Sequence, residues 1–354
     1  MSSANVAMPI ETRRIFRVSL TMAFSLAVAY GMAFPLPFLA PIFALILTAP
    51  PKPPMGLKSL FGLILVVFIT QAVGLLLIPL LINYPLSAVL IVAVGLYFST
   101  YLTVSLGKGL VGTLLTVGFT LIPAAGLYDF YSAVQVIKGL ALGIGLAIIC
   151  QWIVYPWLPE DSAAVPPTRP APDSAEASNW TALRVTLIVL PPFLMALHNP
   201  SMYLKVIMKS VLLGQQGSAV SARNAGRELL GSTFLGGYFA ILFWFMLDMV
   251  TSLWMFFWWM LLFCTYFASK LYQVITTRFP PSFWHNVAVT MLILLGSAVQ
   301  DSANGKDVYQ AFAVRMSLFI AVTFYAWAAV YLLERLRTRR LRRLSQSLPA
   351  MGTR

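Results

Sequence analysis

SLFGLILVVFITQAVGLLLIPLLI, residues 59–82, contains no charged side chain. A helix rises about 1.5 Å per residue, so this stretch reaches about 36 Å, enough to cross the roughly 30 Å hydrocarbon layer of a bilayer. Apolar segments of the same kind surround it, at 15–33, 36–49, 86–104, 109–124 and 131–155, and again at 181–197, 201–214, 228–248, 253–270, 284–300 and 309–333. The pattern predicts an all-α polytopic membrane protein with about twelve transmembrane segments in two groups of six. Composition agrees. The 354 residues are 59% hydrophobic and 10% charged, with a mean hydropathy of +0.83. An ordinary soluble domain carries roughly 25% charge, so a soluble globular enzyme is excluded. A disordered chain would need low hydrophobicity and dense charge.

The net charge of +13 reflects membrane orientation rather than nucleic-acid binding. With the N-terminus placed in the cytoplasm, 19 of the 24 basic residues fall on cytoplasmic loops or helix ends, and Lys306 alone falls outside. That asymmetry puts both termini inside and makes the number of crossings even. The expected organisation is a cytoplasmic N-terminus (1–14), a first repeat (15–157), a Pro-rich cytoplasmic linker (158–180), a second repeat (181–333) and a basic tail (334–354) held to anionic lipid headgroups. No leader-cleavage pattern follows Arg13, Arg14 and Arg17. The localisation expected is a bacterial inner membrane.

The two groups of six look related. Arg17-Val18-Ser19-Leu20 corresponds to Arg184-Val185-Thr186-Leu187, Lys58…Gly62 to Arg227…Gly231, and Phe98-Ser99-Thr100-Tyr101 to Phe263-Cys264-Thr265-Tyr266. Gly118, Asp129 and Tyr131 match Gly296, Asp307 and Tyr309. Six spans per unit give parallel repeats about an axis along the membrane normal. The second segment of each half is short, at 36–49 and 201–214, and such segments in corresponding positions point to a transporter's binding site. Gly62, Gly74, Gly139 and Gly143 are expected to let helices approach closely.

These features resemble the fusaric-acid-resistance superfamily, which includes the bacterial aromatic acid exporters. The resemblance rests on the basic residue opening the first span, the proline-containing short second span, the Lys58…Gly62 and Arg227…Gly231 starts and the two-times-six layout. It covers nearly the whole chain, and the closest branch is a bacterial one of unknown function. The resemblance implies inner-membrane efflux of aromatic or other organic acids, with a periplasmic membrane-fusion adaptor as partner. The large cytoplasmic domain between the halves of the aromatic acid exporters is replaced here by about twenty residues.

Charges inside hydrocarbon cost about 2.5–3.5 kcal/mol each on insertion scales and are functional candidates. Lys205 and Lys209 are one helical turn apart and share a face. Arg315 in the last span and Lys138 in the sixth form a second basic pair. Convergent cations suit a carboxylate substrate. The structural alternative pairs Lys138 with Asp129 and Arg315 with Asp307 or Asp301, or lets the lysines snorkel. Asp129 and Asp307 are the candidates for proton coupling, ahead of Asp248 and Glu228. The aromatic run Trp254, Phe256, Phe257, Trp258, Trp259 either stacks a substrate or packs between helices and lipid. His198 and His285 are isolated, Cys150 and Cys264 lie in apolar stretches, and no metal, cofactor, nucleotide loop or catalytic constellation is expected. The function expected is a proton-coupled secondary exporter of small organic, chiefly aromatic, anions, not an enzyme. The alternatives are a passive organic-anion channel and a non-transporting scaffold. Expected partners are the anion, lipid, the adaptor and a second copy in a homodimer, with no nucleic acid.

Overall fold

The computed structural model describes residues 8–160, 175–219 and 222–347. Most of the expected linker lies outside these residues, as do the first seven and the last seven. All regular secondary structure among the described residues is helical, with no strand. Twelve helices follow in order: α1 (Ile10–Gly31), α2 (Leu39–Thr48), α3 (Leu57–Asn83), α4 (Pro85–Leu106), α5 (Gly109–Tyr128), α6 (Phe130–Val154), α7 (Ala175–His198), α8 (Pro200–Ala219), α9 (Ala222–Met249), α10 (Leu253–Leu271), α11 (Pro281–Ala303) and α12 (Val308–Ser347). Each expected apolar segment is one of these helices. Eight of them, α3 to α7, α9, α11 and α12, are long and apolar enough to cross a bilayer. The protein is thus a multi-pass helical membrane protein.

The sequence places the helix ends by familiar means. Pro85 and Pro281 start α4 and α11, where the missing N–H costs nothing and φ is already helical. Gly107 closes α4 at φ +64, a left-handed conformation that glycine adopts freely. Asp129 and Ser252 cap α6 and α10 by accepting from the Ser132 and Met255 amides.

One expectation changes. The second helix of each half does not stay short in both. α2 has 10 residues, but α8 has 20. The apolar run of α8 still ends near Gly214, and the helix continues to Ala219 because no proline interrupts it.

The helix contacts come in corresponding pairs. α1 packs on α10 as α7 packs on α4, α3 on α5 as α9 on α11, α2 on α6 as α8 on α12, and α4 on α5 as α10 on α11. Every one of these contacts maps onto its partner when each helix is advanced by six, as a six-helix unit used twice requires. α11 is the most enclosed of the apolar helices, with 83% of its apolar window buried.

Apolar burial drives little helix association inside lipid, so close packing and interhelical hydrogen bonds matter more. A Cβ at Gly74 in α3 would run into the Gly118 carbonyl of α5, and one at Gly139 would stand 2.7 Å from the Pro35 carbonyl. A Cβ at Gly143 would stand 3.3 Å from the Ala40 nitrogen, whereas Gly62 faces open space and is no packing position. Buried polar side chains add cross-links: Gln71 of α3 donates to the Leu114 carbonyl of α5 at 3.0 Å, and Ser99 of α4 meets Thr116 of α5 at 2.9 Å.

The same end of each half is tied by an ion pair. Arg17 in α1 reaches Glu160, just beyond α6, at 2.6 Å, and Arg14 joins the same carboxylate. Arg184 in α7 reaches Glu334 in α12 at 2.9 Å, and the Trp180 indole N–H donates to that carboxylate at 3.0 Å. Arg17 and Arg184 are the residues that open the two matched sequence motifs.

Candidate functional site

The expected basic residues divide into three groups. Lys205, on the second turn of α8, and Arg315, on the third turn of α12, line one open cavity of about 480 Å³. Lys306, from the turn between α11 and α12, joins them there, as do Asp307 and Gln310. Met202, Ala311, Val314 and Leu318 supply the apolar wall. The volume is within the roughly 300–1,000 Å³ of small-molecule sites, and an apolar wall with a few convergent polar groups is their usual composition.

The charges are not equivalent. Arg315 is ion-paired with Asp301 of α11, which is 5% exposed, one of the two partners that the structural alternative allowed. Asp307 caps α12, accepting from the Tyr309 amide at 2.9 Å and the Gln310 amide at 3.2 Å. Neither Lys205 nor Lys306 has a carboxylate within 4 Å among the described residues. The cavity therefore presents two ammonium groups that no fixed anion engages, beside a guanidinium that one does. An incoming carboxylate meets net positive charge in a partly desolvated setting, where ionic hydrogen bonds are stronger than in bulk water.

Lys209 lies one turn further along α8 and is fully buried. It does not line the cavity. Its Nζ donates to Thr290 Oγ1 of α11 at 2.7 Å and to Asn286 Oδ1 at 3.4 Å. Asn286 in turn donates through Nδ2 to Ser232 Oγ of α9. Sequence reasoning missed Asn286, Thr290 and Ser232. The available signal was Asn286 and Thr290 four apart on α11, which places them on one helix face.

Lys138 is not brought to this site. It is exposed on α6, and no ion pair joins it to Asp129. Asp129 is exposed and caps α6 through the Ser132 amide at 3.2 Å. It and Asp307 thus hold corresponding capping positions in the two halves, and Asp307 alone borders the cavity.

The aromatic run of α10 splits by face. Phe256 and Phe257 are buried against α1, with ring centroids 4.9 Å from Tyr30 and 5.1 Å from Phe24 respectively. Trp254 and Trp258 face outward. Packing accounts for the buried rings. Tyr30, Trp244 and Phe256 also line a second open cavity of about 350 Å³, together with Asp248. His198 is exposed, whereas His285 borders a void of about 10 Å³ beside Cys264 and Trp284. Among the described residues no three His, Cys, Asp or Glu side chains gather as a metal site would need.

Residues 14–154 match a family of proteins of unknown function, DUF2955. The match runs from α1 to the end of α6, the whole first group of six. No curated protein and no solved structure matches the chain.

Proposed function

We propose that this protein is a secondary transporter of the bacterial inner membrane that exports small organic, chiefly aromatic, acids coupled to protons. The observation that carries the reading is the cavity holding Lys205 and Lys306, two ammonium groups without a fixed counter-ion, beside Arg315. A carboxylate supplies the missing charge, and the apolar wall of Met202, Val314 and Leu318 suits the hydrocarbon part of an aromatic acid. The positive-inside count supports a periplasmic position for this cavity and cytoplasmic termini. The resemblance to the fusaric-acid-resistance superfamily supports the same substrate class, and a periplasmic adaptor docked over that face belongs to the proposal.

Proteoliposomes loaded with benzoate test it. Benzoate movement that follows an imposed pH gradient is expected. Lys205→Gln should raise the half-saturating benzoate concentration about tenfold, equivalent to about 1.4 kcal/mol of binding. A benzoate current that follows voltage alone would make the protein a passive channel. No movement under either gradient would leave a scaffold role.

A further inference from the structure

The second open cavity, of about 350 Å³, is built unlike the first. The chain carries 24 Lys and Arg against 11 Asp and Glu, yet the only charged side chain lining this cavity is a carboxylate, Asp248 at the end of α9. Among the described residues no basic side chain comes within 4 Å of it and no hydrogen bond engages it. Tyr30 of α1, Trp244 of α9 and Phe256 of α10 supply aromatic walls. The Tyr30 hydroxyl and the Trp244 indole N–H are likewise without a hydrogen-bond partner among the described residues.

The backbone adds to the sign. Tyr30, Asp248 and Ser302 stand in the last turns of α1, α9 and α11, so three helix C-termini border the cavity. Each carries about half a negative charge on its final carbonyls. The turns that follow use some of these carbonyls, Tyr30 accepting from Ala33 and Ser302 from Gly305, but the dipoles remain. One N-terminus opposes them. α10 starts there at Leu253, and Ser252 already accepts from one of its first amides, that of Met255, at 3.1 Å. Three negative helix ends and a carboxylate outweigh one positive end, and the cavity favours a cation.

The walls narrow the choice. A hard metal ion takes several oxygen ligands, which one carboxylate does not supply. An organic ammonium is attracted both to a carboxylate and to aromatic rings, and the volume is that of a small-molecule site. We propose that this cavity binds an organic ammonium ion, with Asp248 as its counter-ion and Tyr30, Trp244 and Phe256 around its apolar body. It is a second site, opposite in sign to the lysine-lined cavity, at the same end of the bundle. The two come together at the end of α11: Ser302 and Ala303 border one, and Lys306, three residues on, borders the other. A free amine and the headgroup of phosphatidylethanolamine both present the required group.

Calorimetric titration of the purified full-length protein in neutral detergent with 2-phenylethylammonium tests this. Saturable binding is expected. Asp248→Asn keeps the shape and removes the charge, and should weaken binding about fivefold, the upper range for a partly exposed ion pair. The neutral analogue 2-phenylethanol should bind the wild type about fivefold more weakly than the amine and should not distinguish the wild type from Asp248→Asn. Ser302→Lys places a competing ammonium on the cavity wall and should abolish amine binding. Both positions are exposed, so both variants should keep the wild-type unfolding midpoint. Absence of saturable amine binding overturns the proposal, and so does equal affinity of the wild type and Asp248→Asn. If Asp248→Asn fails to fold, Ser302→Lys decides, and amine binding to it at wild-type strength overturns the proposal. In nanodiscs the ratio of wild-type to Asp248→Asn affinity separates the two sources. A ratio that persists in phosphatidylethanolamine assigns the site to free amines. A ratio that falls to unity there but not in phosphatidylglycerol assigns it to the headgroup, and unity in both overturns it. None of these outcomes touches the transport reading, which stands on the other cavity.

Discussion

Glu160 shows what one carboxylate does at the edge of a membrane domain. It lies outside the helices at 4% exposure and engages both Arg14 and Arg17, the latter with no exposed surface. Burial pushes its carboxyl up, but the hydrogen bonds from Arg14 and Arg17 outweigh burial and hold it below the usual glutamate range. Glu160→Gln leaves the Arg17 guanidinium buried without a counter-charge, a change that costs about 3 kcal/mol or more when a buried pair is broken from one side. The expected result is a lower thermal unfolding midpoint in detergent. The pH dependence follows from the direction of the shift. A carboxyl depressed in the folded state contributes its stability above its unfolded pKa, about 4.3, and loses it as pH falls through the folded value. The wild type should therefore lose midpoint steeply in that acid range, and Glu160→Gln should show a flatter profile.

At the scale of elements, the short helix α2 packs on α1 and α6, and a large ring at its start ties it to α11. Phe38, at its start, is 1% exposed and sits where a side chain on Gly296 of α11 would be. Phe38→Ala should cost about 3–5 kcal/mol through lost contacts and the cavity left behind. The same unfolding assay checks it. A much smaller loss would mean that α2 is anchored elsewhere. The helices themselves were readable from sequence because apolar runs of bilayer length have few other uses. The contacts between them were not. Lys209 meets partners 77 and 81 positions away, and Arg17 meets Glu160 across 143. Neither pairing leaves a local pattern. The short second segment misled in the second half because apolarity ended at Gly214 while the backbone, with no proline to stop it, did not. Lys138 and Arg315 looked equivalent by position, yet the first turns into the exposed surface and the second into a cavity, since only α8 brings lysines to meet its α12 neighbour.

Across the whole molecule, the orientation proposed above, with cytoplasmic termini in a bacterial inner membrane, can be tested at two turns. Lys306 and Arg278 are both exposed, in turns at opposite ends of the bundle, while the native Cys150 and Cys264 are buried and free. In intact cells with the outer membrane permeabilised, a membrane-impermeant maleimide should label Lys306→Cys and spare Arg278→Cys until the inner membrane is opened. The reverse pattern would invert the assignment of faces. The two halves have matching frameworks but different contents. α2 carries no charged residue, whereas α8 carries Lys205 and Lys209 into the interior.

Both Arg–Glu ties stand where α1 and α7 begin, the end of the bundle opposite the cavity. A pair of tongs riveted at the handle can spread only at the jaws. With α1 tied beside α6 and α7 tied to α12 at that end, any spreading of the bundle is expected to begin at the other.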